Sequence, residues 1–229
     1  MNPLADFLFL VFPKICITCG NSLLKSEEVI CTSCFFHLPK TNFHLNPENH
    51  VTRTFWGRVR IESGVAYLYF NKGNRVQKLI HHLKYKGRRD VGVFLGKRYG
   101  DCLKKNPVFQ TIDFIIPVPL HEKKLKLRGY NQSEAFADGL SQTIGVPVDI
   151  KSLVRIISTE TQTRKSRFRR WENVAEIFSV RHHETLINKH ILLVDDVITT
   201  GATMESCINA LAFVSGIRIS VAAIATTKG

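Results

Sequence analysis

The chain has 229 residues, 44% of them hydrophobic, with 32 Lys and Arg against 19 Asp and Glu and a formal net charge of +13. That length and apolar content exclude a disordered chain and suit one large domain with a small appendage. The basic field, with a sequence pI near 9.7, favours anionic partners (nucleic acid, phosphorylated metabolites or an acidic membrane face) and does not choose among them.

The apolar run FLFLVF, residues 7–12, is too short to span a bilayer, and no basic segment precedes it, so a cytoplasmic location is expected. It leads into Cys16, Cys19, Cys31 and Cys34, a C-x2-C pair, eleven residues, and a second C-x2-C pair. Two such knuckles present four thiolates to one tetrahedral ion, and soft sulfur ligands select zinc or iron-sulfur chemistry, with ordinary buried thiols or two disulfides as the alternative. A structural zinc ion fits best, because protein groups fill all four positions. It would supply roughly 10–16 kcal/mol of folding free energy to a piece too small for its own core. The stretch 41–53, TNFHLNPENHVTR, crowds turn formers and places the end of this zinc-ribbon-like module near residue 45. The rest, 46–229, is the main domain.

Strand and helix signals then alternate, as in an α/β domain. GVAYLYF (64–70) reads as a strand. Val76, Leu79, Ile80 and Leu83 stand at helical spacing before Gly87, and a second helical stretch, RDVGVFLGKRYGDCLKK, runs over 89–105. TIDFIIPVPL (111–120) is a strand-type run ending in prolines. A helix over 131–145 carries Phe136, Leu140 and Ile144 behind cap-type residues and stops at Gly145. After a weak region at 148–150 and a basic stretch from Arg164 to Arg170 come the segments EIFSV (176–180) and HILLV (190–194), a helix from Thr203 to about Phe213, and a strand over 217–226. Continuous runs such as ILLV and ISVAAIA imply strands covered on both faces, hence a parallel-centred sheet with helices on each side. His81 and His82 read as surface residues, Cys102 and Cys207 as small core fillers.

Asp195 and Asp196 emerge where the strand ILLV runs out, the place where open α/β sheets bind ligands. Adjacent carboxylates repel, and a vicinal diol or a divalent cation relieves them. Thr199, Thr200, Gly201, Ala202 and Thr203 follow, a bend whose amides and hydroxyls can wrap a phosphate at a helix start.

The segment LLVDDVITTGAT resembles the loop by which type I phosphoribosyltransferases bind phosphoribosyl pyrophosphate (PRPP). The resemblance implies that Asp195 and Asp196 hold the ribose hydroxyls and that residues 199–203 hold the 5-phosphate. The segments IIPVPLHEKKLKLRGYNQSE, KYKG and TQTRKSRFRRWENVAEIF, in order behind a four-cysteine module, resemble the ComF/ComFC family of competence-associated proteins over most of the chain. By that resemblance Pro117, Val118 and Pro119 form a pyrophosphate loop, and the stretch around Gln162 to Asn173 forms a flap over the substrate. Departure of pyrophosphate needs cations or Mg2+, and Lys123, Lys124, Lys126, Arg164 and Arg167 are available, with Arg128 and Arg170 the candidate catalytic residues.

The resemblance to that family implies a PRPP-binding protein that handles single-stranded DNA during natural transformation, alongside a helicase-type uptake partner. Tyr85, Tyr130, Phe168 and Trp171 interleave with the basic clusters and suit base stacking. The alternative is a Mg2+-dependent phosphoribosyltransferase acting on a small acceptor, with no role on DNA.

Overall fold

The computed structural model describes residues 12–71, 73–156 and 177–227. Four strands, β1 (Ser63–Phe70), β2 (Phe114–Pro117), β5 (His190–Ile198) and β6 (Arg218–Thr227), form one sheet in the order β1-β6-β5-β2. Every pair in it is parallel. Beside β2, Ile115 pairs in parallel with Val148, which gives the weak 148–150 segment a place as an extra lane. At the opposite edge, Thr41 donates to Tyr67 O at 3.0 Å and Tyr69 to Pro39 O at 2.8 Å, so the chain leaving the cysteine module covers the exposed side of β1. Two short strands, β3 (Leu153–Arg155) and β4 (Phe178–Val180), make a separate antiparallel pair.

Strand residues alternate between two cores. Leu192, Val194, Ala222 and Ile224 face α3 (Arg75–Tyr85), α4 (Arg89–Leu103) and α7 (Gln132–Ile144). Ile191, Leu193, Val221 and Ala223 face α2 (His50–Thr54) and α8 (Ala202–Leu211). This double cover is what the unbroken apolar runs predict. Helices α4 and α7 approach closely because glycines line their contact: a Cβ built on Gly96 would lie 2.3 Å from Phe136 O, and one on Gly139 would lie 2.1 Å from Val93 O.

Asparagine opens several of the helices. Asn49, Asn74, Asn106 and Asn131 each accept a first-turn amide, at α2, α3, α5 (Pro107–Gln110) and α7. Asn49 does more: it is buried, and its Nδ2 donates to Gly64 O at 2.7 Å and Asn46 O at 2.8 Å, tying α2 to β1. The turn-rich stretch 41–53 therefore ends inside a helix. A single turn is too short for an apolar period, so only its cap is visible in the sequence.

Helix α6 (Glu122–Arg128) follows the Pro117–Pro119 segment, stops at Gly129 in the left-handed region, and buries none of its residues. Near the N-terminus, α1 (Thr32–Phe36) starts just after Cys31. Leu23, Val29, Ile30 and Leu38 join the same core as Val76, Leu79 and Phe94, so the cysteine module packs on the large sheet through apolar side chains. Among the described residues no helix is long and apolar enough to cross a membrane.

Candidate functional site

Strand β5 continues past the ILLV run through both acids to Ile198, so Asp195 and Asp196 stand near its C-terminal end. They turn to different partners. Asp195 Oδ1 accepts the Ser133 hydroxyl from α7 at 2.8 Å and the Asp196 amide at 2.8 Å. Asp196 pairs with Lys84 Nζ, from the last turn of α3, at 2.9 Å. Burial, together with the adjacent charge of Asp196, pushes the Asp195 carboxyl up to about 7, against the pull of its two hydrogen bonds and of Lys84. Near neutral pH Asp195 is therefore partly protonated.

Beyond the acids, Thr199, Thr200, Ala202 and Thr203 are exposed and Gly201 is buried at the bend. With Asp195, Val197, Ile198 and Met204 they line a small cup of about 40 Å³. Helix α8 opens on Gly201, at φ +75°, and no side chain caps it. Apart from a long contact of the Ala202 amide with Thr200 Oγ1, at 3.5 Å, its first-turn amides are thus left for an anion, in contrast to the asparagine-capped helices. Gly201 leans on a wall from the segment that ends α2: a Cβ there would lie 3.1 Å from both Phe55 Cε1 and Thr54 Cγ2. Arg58 in the same segment donates to Thr200 O at 2.8 Å and pairs with Glu205 on α8.

The segment from β2 to α7 closes the next side. Pro117 and Val118 are buried and Pro119 half-buried. Val118 N–H donates to Val194 O at 2.9 Å, and Asn131 Nδ2 donates to Val118 O at 3.0 Å, so the α7 cap also fixes the Pro117–Pro119 backbone beside β5. The Arg128 guanidinium donates to Gln132 Oε1 at 2.6 Å and lies 5.4 Å from the Tyr85 ring centroid. Its Nε is buried without a partner among the described residues. Tyr130 donates its hydroxyl to Leu83 O, which docks this turn on α3, while Tyr85 is 61% exposed.

The structure thus brings together Asp195, Asp196, residues 199–203 and the Pro117–Pro119 backbone, and sets Arg128 behind Tyr85. Arg170 and the Gln162–Asn173 flap lie outside the described residues, with Arg164, Arg167, Phe168 and Trp171. Lys84, Ser133, Asn131 and Arg58 are additions that the sequence did not single out. KYKG held Lys84 as a motif without a role, and Arg58 gave no local signal. His81 is exposed, His82 half-buried, Cys207 buried and Cys102 half-buried.

At the other site, the sulfurs of Cys16, Cys19, Cys31 and Cys34 lie within 4.8 Å of one another. Gly20, at φ +82°, turns the first knuckle, with its amide on Cys16 O at 2.9 Å. The Cys31 amide points at Cys16 Sγ at 3.3 Å, and Thr18 Oγ1 lies 3.2 Å from the same sulfur. Amide and hydroxyl donors aimed at sulfur favour thiolate. The donor set fits a four-thiolate tetrahedral ion of the zinc type, and Lys78 Nζ on Thr18 O at 2.8 Å ties the knuckle to α3.

Parallel sheet, acid pair and phosphate-type bend together give a phosphoribosyltransferase-like fold, and the model of the phosphoribosyl transferase domain matches residues 131–228. Among solved structures, a glutamine phosphoribosylpyrophosphate amidotransferase from B. subtilis is 19% identical with a TM-score of 0.42, covering 62% of this chain and 30% of that one. A DNA utilization protein, YhgH of Shigella flexneri, is 28% identical over 194 residues, 83% of this chain and 80% of the relative. The competence protein ComFC of Bacillus subtilis (strain 168) is 24% identical over 219 residues, 83% of this chain and 85% of the relative. Over most of its length the chain is thus similar to competence and DNA utilization proteins of the ComF/ComFC type.

Proposed function

We propose that the cup binds PRPP with Mg2+ and that the protein uses this ligand site while handling single-stranded DNA in DNA uptake. The observation that carries the first part is the meeting, in one cup, of a carboxylate and an uncapped helix start. A sugar diol satisfies the first and a phosphate the second, and a phosphorylated pentose carries both groups on one molecule. Asp195, and Asp196 once Lys84 shares it, accept the hydroxyls. Thr199–Thr203 take the 5-phosphate, and Pro117–Pro119 run beside the pyrophosphate. Bound Mg2+ would neutralise pyrophosphate charge. Zinc on the four cysteines holds a module at 1–45 against the domain at 46–229.

The DNA part is supported by exposed Tyr85 with Arg128 over its ring, flanked by exposed Lys86, Arg89 and the α6 lysines Lys123, Lys124 and Lys126. Aromatic faces and cations in one patch suit stacked bases and phosphates. The relatives' names, DNA utilization and competence, point the same way.

PRPP with Mg2+ should raise the melting temperature of the wild type, and Asp195→Asn with Asp196→Asn should abolish the rise. A rise that survives in the double variant would remove the ribose assignment. Pyrophosphate release with a small acceptor, combined with DNA affinity that does not respond to salt, would favour the transferase alternative instead.

A further inference from the structure

The bend that is proposed to hold the 5-phosphate has a weak point in its own chemistry. A peptide plane ahead of a glycine at positive φ can flip at low cost, because glycine tolerates both conformations. Flipped, the Thr200–Gly201 unit would present a carbonyl oxygen to the anion in place of an amide hydrogen. Something must hold the plane, and the loop's own side chains do not: Thr200 Oγ1 reaches only the Ala202 amide, at 3.5 Å.

The restraint comes from a segment far away in sequence. Arg58 Nη1 donates to Thr200 O at 2.8 Å and to Thr54 O at 3.1 Å, while Nη2 pairs with Glu205 in the first turn of α8. The planar guanidinium thereby links the carbonyl before the bend, the end of α2 and the helix behind the bend, a geometry that its fixed fork allows and a lysine ammonium would only partly reproduce. In a trans peptide the carbonyl and the amide hydrogen point in opposite directions. With Thr200 O drawn to the α2 side, where Thr54 and Phe55 wall in Gly201, the Gly201 N–H is sent to the open side that lines the cup. No protein acceptor takes that N–H among the described residues.

We infer that Arg58 is a positioning residue for anion binding: it locks the Thr200–Gly201 peptide plane so that the Gly201 amide faces the phosphate. It touches the backbone, not the ligand, and acts through that plane. The inference rests on the reading of the cup as a phosphate site.

The test uses the full chain labelled with 15N-glycine and titrated with inorganic phosphate and with PRPP plus Mg2+, with affinity from calorimetry and the Gly201 amide followed by NMR. In the wild type both ligands bind and the Gly201 amide moves downfield. Arg58→Gln binds PRPP at least about tenfold more weakly, and its Gly201 amide no longer follows the titration. Glu205→Gln, which keeps the bond to Thr200 O, stays within about threefold of wild type. Arg58→Lys, with one ammonium for the same carbonyl, recovers most of the affinity, and serves if Arg58→Gln does not fold. Equal affinity and an unchanged Gly201 response in Arg58→Gln would overturn the inference, as would a loss in Glu205→Gln as large as that in Arg58→Gln. Absence of any binding by the wild type would overturn the phosphate reading itself, a distinct result.

Discussion

Replacing Asp195 with asparagine should make the protein more stable, by an amount that depends on pH. The folded carboxyl titrates at about 7, against an ordinary 3.8. Between those values the folded state keeps a proton that the unfolded state has released, so wild-type stability falls as pH rises through this window and levels off above it. The full cost is about 4 kcal/mol above about pH 7, at 1.36 kcal/mol per pK unit, and well under half of that near pH 5. Asparagine is isosteric, and its Oδ1 can still accept from Ser133 and from the Asp196 amide, the two bonds that Asp195 Oδ1 now makes. Its Nδ2 needs an acceptor that the carboxylate did not, a loss of about 1 kcal/mol. The net gain is therefore about 1–3 kcal/mol near pH 8, a rise of about 3–9 °C in Tm for a chain of this size, and close to zero near pH 5. Urea denaturation of wild type and variant at intervals from about pH 5 to pH 8 measures it. A gain that is the same at both ends, or a loss at both, refutes the argument that charge on Asp195 is what costs. The variant that folds better should also lose the stabilisation by PRPP, which for the wild type is about 2.7 kcal/mol at a hundredfold excess over Kd.

Gly96→Ala should be among the most damaging single-methyl additions, because the new Cβ would lie 2.3 Å from Phe136 O and 2.8 Å from Gly139 Cα. Forcing α4 from α7 costs about 2–3 kcal/mol, read as a lowered urea midpoint with the denaturant slope unchanged. Titrating the thiols with an organomercurial should release one zinc per chain, detected with a metallochromic dye, and the melting transition should drop, since Leu23, Val29 and Ile30 share their core with α3 and α4. Release of no metal from protein purified without chelator would remove the zinc assignment. Tyr85→Ala should weaken single-stranded DNA by about 1–3 kcal/mol with the salt slope preserved, whereas Lys123→Gln with Lys126→Gln should reduce that slope by about 1.4 for two phosphates no longer neutralised. Fluorescence anisotropy across a salt series separates the two, and identical slopes in all three proteins would place the DNA elsewhere.

What could be read from the sequence was what repeats or stands close together. The apolar period from Val76 to Leu83 and the unbroken ILLV run located α3 and β5 because burial imposes those patterns directly. The cysteine knuckles and the Asp-Asp-to-Gly bend were legible because each packs its chemistry into a few consecutive residues. The supports of the site were not, because each is a single residue delivered by tertiary contact: Lys84 reaches Asp196 from α3, Ser133 reaches Asp195 from α7, and Arg58 reaches Thr200 from beyond α2. Helix α6 escaped notice for a different reason, since none of its residues is buried and its sequence carries no apolar period. The α4 glycines did leave a signal, three at intervals of four (Gly92, Gly96, Gly100), which marks a close helix neighbour and was visible before any coordinates.

The acid pair remains the feature that needs a cause outside the fold. A scaffolding role would show as carboxylates fully consumed by the protein, and Asp196 comes near this, being buried and bonded to Lys84. Asp195 does not: both of its bonds fall on Oδ1, and the residue lines the cup above the bend. Its ionised form lowers stability at neutral pH, which a neutral side chain of the same shape would avoid. Groups that break the local electrostatic rule without structural gain are expected where a ligand supplies the missing partner. A diol donates two hydrogen bonds to carboxylate oxygens and stabilises the ionised form, so ligand binding should lower the pKa of Asp195 and release the proton it holds: the bound site should keep Asp195 deprotonated, and PRPP should bind with proton release that grows as pH falls from about 8 toward 6. Calorimetry in buffers of different ionisation enthalpy reads that proton count directly, and a count of zero across the range would mean that Asp195 does not meet the ligand.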